Sequence, residues 1–140
     1  MGSVFHFDIE VTEKDVDRNG HVNNVVYIQW MQDAAVAHAR ASGCTKESIA
    51  VGASWVVRTH HIEYLSPAFE GDKITLFTWP SNFQRVRSLR KYKFVRDKDQ
   101  AVIASAETEW VFVNAKTGRP QSIPDEVKNT LPAVSKEMEP

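Results

Sequence analysis

The chain has 140 residues, of which 42% are hydrophobic and 25% charged, with 17 basic side chains against 18 acidic ones. That length suits one domain with a real core, the composition excludes disorder, and the near-zero charge gives no reason to expect nucleic acid as a partner. No apolar run approaches the roughly 18 residues of a membrane helix, the N-terminus lacks a signal-peptide core, and Cys44 has no second cysteine with which to form an intrachain disulfide. The expectation is a single cytoplasmic domain over 1–140, with its core at 4–120 and a tail at 125–140. Gly2 and Ser3 read as an added leader.

Val4 to Val11 alternates as a strand, with Phe5, Phe7, Ile9 and Val11 on one side. From Asn24 to Ser42 the period becomes helical: Tyr27, Trp30, Met31, Ala34 and His38 share one face, and Gln29, Gln32, Asp33 and Arg40 the other. Gly43 is a natural stop. Residues 44–53 read as a loop, after which only strand patterns follow: 55–65, 73–79 broken by Pro80, 86–96 and 101–113. Glu70-Gly71-Asp72 and Asp97–Gln100 read as turns. The segment 116–120 closes the fold, ahead of a short helix and a frayed polar tail. Strand, long helix, then four strands make an α+β fold, a five-stranded antiparallel sheet wrapping the helix. The sheet's other face carries aromatics and asks for a second subunit.

The densest polar segment is Asp15-Val16-Asp17-Arg18-Asn19-Gly20-His21-Val22-Asn23-Asn24, at the strand-to-helix junction. Asp17, Asn19 and His21 lie two apart and can point the same way in an extended loop. The segment delivers them to a helix N-terminus, where unpaired N–H groups and the macrodipole favour negative charge. Such a place suits chemistry that develops an oxyanion. Two simpler readings compete. Asp15, Asp17, Asn19 and Gly20 match the opening of a calcium loop, but its twelfth position is Val26, which cannot supply the bidentate carboxylate. Asn23 or Asn24 could also serve only as a helix cap.

Other residues have weaker claims. His60 and His61 face opposite ways on a strand, which disfavours a shared metal, and His38 reads as a core or interface histidine. Arg85, Arg87 and Arg90, with Lys91 and Lys93, form a basic run that is either a solvated face or a seat for the phosphates of a nucleotide-bearing substrate. No Gly-rich phosphate loop or Gly-x-Ser-x-Gly elbow is present.

Together, Asp17-Arg18-Asn19-Gly20-His21-Val22-Asn23-Asn24 with Tyr27 and Trp30, then Glu63-Tyr64-Leu65-Ser66-Pro67, Gly71-Asp72, Trp110–Val113 and Thr117-Gly118-Arg119-Pro120, resemble the hotdog-fold thioesterases of the 4-hydroxybenzoyl-CoA thioesterase-like superfamily. The Asp-x-Asn-x-His-Val-Asn-Asn form is closer to the bacterial acyl-CoA and plant-type acyl-ACP branches. The resemblance implies a helix wrapped by the sheet, a dimer or tetramer with active sites at the subunit interface, and no cofactor. It makes Asp17 the catalytic acid, acting as general base or nucleophile on an acyl-CoA thioester. Asn19 and His21 assist it, the backbone of Asn24 stabilises the oxyanion, and Tyr27 and the three arginines are candidate substrate contacts. The plant enzymes have two tandem units and a further acid downstream, where this chain has Pro67 and Ala68. An acyl-ACP thioesterase and a non-catalytic acyl-CoA-binding module are the alternatives.

Overall fold

The computed structural model describes residues 3–140. Strand β1 (Phe5–Glu10) leads through a short 3-10 turn (Glu13–Asp15) into α1 (Asn24–Ser42) and α2 (Cys44–Ala50). Then come β2 (Ala53–Tyr64), β3 (Lys73–Phe83), β4 (Arg87–Arg96), β5 (Val102–Asn114) and α3 (Asp125–Lys128). The strands form one antiparallel sheet in the order β1-β3-β4-β5-β2. This is the wrapped-helix α+β arrangement expected, with β2 on a sheet edge.

The buried side of α1 is the one the periodicity marks: Tyr27, Trp30, Met31, Ala34 and His38, joined by Ala35. It packs on Ile74, Leu76, Tyr92, Phe94, Ala104 and Ala106 of the inner sheet face, with Ile9 and Val11 closing one side. Gly43 ends the helix at φ 91°, a left-handed conformation that glycine adopts without Cβ strain.

Three expectations fail, each for a local reason. Residues 44–50 are helix rather than loop. Cys44, Ala53, Phe112, Ile123, Val127 and Leu131 build a second small core there, and a seven-residue element is too short to show a period in sequence. Strand β3 does not stop at Pro80 but runs to Phe83 through a bulge. The last residue pair of β1 with β3 is Phe5 with Thr78, so β3 is an edge beyond that point. The Pro80 carbonyl points to that vacated side, where it accepts from the Val134 N–H at 2.9 Å, so the missing proline N–H removes no ladder bond.

The tail is also docked rather than frayed. Leu131 and Val134 are buried, and Lys91 pairs with Glu139 at 3.1 Å. Trp79, on the outer sheet face, is buried beside two tail contacts, the Val134 N–H on the Pro80 carbonyl and Glu139 on Lys91, the register partner of Trp79, while Tyr92, Phe94 and Phe112 face the helices. The aromatic content of the outer face is thus smaller than the pattern suggests. No helix among the described residues is long and apolar enough to cross a membrane. Gly2 lies outside the described residues; the Ser3 hydroxyl lies 2.9 Å from His38 Nε2, so Ser3 is part of the packed structure.

Candidate active site

The polar loop is pinned at both ends. The Val11 N–H donates to the Asp72 carbonyl, and the Val11 carbonyl accepts from Gly71. Asp15 caps the 3-10 turn, its Oδ2 accepting from the backbone N–H and hydroxyl of Thr12 at 2.8 and 3.1 Å. Residues 16–22 then close into a tight hairpin rather than an extended loop. Val16 bridges Val22, the Asp17 N–H donates to the His21 carbonyl at 2.7 Å, and Gly20 takes the positive φ (80°) that the turn needs.

Asp17 is the reason the turn closes. Its Oδ1 accepts from the N–H groups of Asn19 (2.9 Å) and His21 (3.2 Å), the local competition for backbone donors at which aspartate excels. Oδ2 has no hydrogen-bond partner among the described residues. One oxygen therefore fixes the carboxylate while the other stays available.

Asn23, not Asn24, is the helix cap. Its Oδ1 accepts from Val25 N–H at 3.0 Å, its carbonyl accepts from Val26, and its own N–H donates to Asp15. Asn24 is the first helical residue, and its N–H has no partner among the described residues; its carbonyl accepts the Tyr64 hydroxyl at 3.0 Å. Beside this helix start lies a cleft of 240 Å³, walled by His21, Asn24, Tyr27, Tyr64, Ser66 and Pro67. Tyr27 is locked edge-on against Trp30, Tyr64 and Phe94, with ring centroids 5.2–5.4 Å apart. Burial, followed by the neighbouring Tyr64, pushes its hydroxyl up to about 12, so it stays a neutral donor. The His21 ring stands edge-on to Phe69, to which its strand segment is bridged.

The structure thus gathers His21, Asn24 and Tyr27 at one cleft, and sets Asp17 and Asn19 in the adjoining hairpin, outside the lining. It does not bring the arginines there. Arg85 donates to Ser122, and Arg87 to Gln84 and Glu109. Arg90 departs from the surface run altogether. Strand alternation turns it to the inner face, opposite to Arg87, Lys91 and Lys93, where it is 5% exposed and bonded to His38 and Thr78. His38 is the core histidine expected, stacked on Phe5; burial and the Arg90 charge push it down to about 4. His60 bonds Thr108, and His61 is exposed. Tyr64, Ser66 and Pro67 are cleft residues that read in the sequence only as fold markers; their signal is the compact Glu63–Pro67 block at a strand end.

Three comparisons place this geometry among known proteins. The chain is 26% identical to a chloroplastic palmitoyl-acyl carrier protein thioesterase of Cuphea hookeriana, over 93% of this chain and 33% of that protein. It is 30% identical to the L-carnitine dehydrogenase/betainyl-CoA thioesterase of Rhizobium meliloti, over 91% of this chain and 26% of that protein. It therefore spans about a third or less of these curated relatives. A 1,4-dihydroxy-2-naphthoyl-CoA thioesterase from Synechocystis shares the fold, with TM-score 0.81 at 18% identity over 91% of this chain and 95% of that one. The model of the thioesterase-like superfamily matches residues 11–131, and the chain belongs to that superfamily.

Proposed function

We propose that this protein hydrolyses an acyl-CoA thioester to free acid and CoA at the cleft where α1 begins. The observation that carries this reading is an unoccupied backbone donor, Asn24 N–H, at the cleft, with the Asp17 carboxylate held by one oxygen only in the adjoining hairpin. The thioester carbonyl sits at the helix start, and its oxygen takes up the Asn24 N–H as negative charge develops. Such preorganised donors contribute about 3 kcal/mol in the transition state. Asp17 Oδ2 then removes a proton from an attacking water, or itself attacks the carbonyl to form an anhydride that water cleaves; in both routes the C–S bond breaks and CoA leaves as its thiol. Asn19 positions the water or acyl group, His21 orients the site, and the neutral Tyr27 closes its wall. Relatives named for thioester hydrolysis on both CoA and acyl carrier protein support the reaction class.

The same reading makes the protein a homo-oligomer with a dimer as its minimal unit. β2 is a 12-residue edge strand with one side unpaired, and Val56 on it is 46% exposed. A long open edge of this kind pairs with a second copy unless it is protected. Its Tyr64 end lies at the cleft, so pairing brings a partner subunit to the site.

The test is thiol release from short, medium, long and aromatic acyl-CoAs, with an acyl-ACP alongside, and sedimentation of the same preparation. Turnover of at least one acyl-CoA by a dimer or larger assembly is expected. Turnover of acyl-ACP alone, or tight acyl-CoA binding without turnover, would overturn the acyl-CoA hydrolase; a monomer would overturn the shared site.

A further inference from the structure

The cleft wall and the hairpin that carries Asp17 are joined by one short segment, residues 67–69. Pro67 lines the cleft. The buried Ala68 offers its carbonyl to the Val22 N–H at 2.9 Å, and Phe69 is bridged to His21. Whatever holds this segment therefore sets the Asp17 hairpin against the open Asn24 N–H.

A cluster of three charged side chains at the end of the sheet holds it. Arg96, the last residue of β4, pairs with the buried Ile74 and so lies on the inner face, two positions past Phe94. Its side chain is only 12% exposed. Nη1 donates to the Pro67 carbonyl at 3.0 Å, while Nε and Nη2 fork onto the two oxygens of Asp99 at 3.0 and 2.9 Å. The fork fixes the plane of the guanidinium and with it the direction of Nη1. Nη1 also stands 3.9 Å from Asp72 Oδ2, the oxygen that accepts the Phe69 N–H at 2.9 Å. Pro67 and Phe69 are thus gripped on both sides of Ala68 by one ion cluster. The neighbouring part of the wall has its own anchor, because the N–H groups of Leu65 and Ser66 both donate to the Ile103 carbonyl. Burial and Tyr64 dominate the state of the Tyr27 hydroxyl, yet the Arg96 charge favours its ionised form and Asp72 opposes it, so both charges lie within electrostatic reach of the cleft.

We infer that Arg96 is a positioning residue for the hydrolysis, setting the Asp17 hairpin against the cleft by fixing residues 67–69. It acts through the Pro67 carbonyl and Asp72 and is not itself part of the cleft lining. This role rests on the hydrolase reading. Removing Arg96 frees the hairpin side of the segment and leaves the Ile103-anchored wall in place. Binding then survives while the base loses its alignment, and a misplacement of about 1 Å can cost about 100-fold in rate.

The experiment pairs steady-state kinetics of Arg96→Ala, on the acyl-CoA that the native protein turns over best, with amide exchange. kcat should fall about 10- to 100-fold while KM stays within about threefold. Exchange should quicken at Phe69 and Val22 and keep its native rate at Leu65 and Ser66. Methylguanidinium, which fits the vacated slot, should restore part of kcat in Arg96→Ala and leave native kcat unchanged; an ion pair that only stabilises the fold would not give this response. Asp99→Ala, at an exposed turn, loosens the fork and takes the place of Arg96→Ala if that variant does not fold; its kcat should fall with KM unchanged. A folded variant with native kcat, a loss confined to KM, absence of rescue, or native-rate exchange at Phe69 and Val22 would overturn the role. Native protein that turns over no acyl-CoA would instead defeat the hydrolase reading, and the exchange rates would still decide whether Arg96 holds the segment.

Discussion

Replacing Asp17 by asparagine and by alanine separates two things this side chain does. Oδ1 closes the hairpin through the N–H groups of Asn19 and His21, and Oδ2 is the oxygen open to substrate. The asparagine variant would keep an acceptor for both N–H groups and lose only the charge and basicity. The alanine variant would lose the hairpin contacts as well. If Asp17 is the base, both variants fall by at least about 100-fold in kcat/KM, which is about 2.7 kcal/mol of transition-state stabilisation at 1.36 kcal/mol per decade. Asp17→Asn should lose this activity with an unchanged thermal midpoint, while Asp17→Ala adds disorder of residues 16–22, visible as faster amide exchange at Asn19 and His21. The assay is thiol release under kcat/KM conditions for the best acyl-CoA substrate. A folded Asp17→Asn protein with near-native turnover would sink the catalytic assignment, since nothing but charge and basicity has been removed.

The remaining expectations concern the frame. Leu131→Ala should destabilise the protein by about 2–5 kcal/mol in urea unfolding, because the buried leucine belongs to the second core; a frayed tail would show no change. Gly43→Ala should cost about 1–2 kcal/mol from forcing Cβ into φ 91°, since the nearest atom to that Cβ, Thr130 Cγ2 at 3.9 Å, is at ordinary contact distance and conformational strain alone decides the sign. His38 is neutral when folded, and its depressed value means that the unfolded chain binds the extra proton between pH 6.5 and about 4. Stability should therefore be lost as pH falls through that window, by about 3 kcal/mol over its width, and His38→Gln should flatten this part of the pH–stability curve.

Much of the fold was legible because its signals are local. The stripe Tyr27, Trp30, Met31, Ala34 and His38 fixes both the existence of α1 and its buried side, and the left-handed Gly43 ends it where the glycine stands. The polar segment 15–24 also marked the strand-to-helix junction correctly, because side-chain acceptors and helix N-termini are written in residue types. What failed depended on neighbours distant in sequence. Pro80 reads as a strand breaker, yet it is tolerated because β1 has already ended beside it and Val134 uses its carbonyl.

Arg90 shows the same division at a single side chain. By itself the sequence determined that a basic residue occurs every few positions along β4, and alternation alone could have parted Arg90 from Lys91 and Lys93. Only the tertiary structure decided that the inner side at that position holds His38, Thr78 and a cavity rather than water. Likewise the sequence supplied Asp17, Asn19 and His21 at spacing two, as if for an extended loop. The hairpin that Asp17 itself closes, and the Tyr64 hydroxyl 40 residues away that reaches the Asn24 carbonyl, set the site's geometry. Periodicity and capping are properties of contiguous residues and survive in one dimension; which group a buried cation or an unpaired N–H meets is fixed by packing between elements, and that exists only in three.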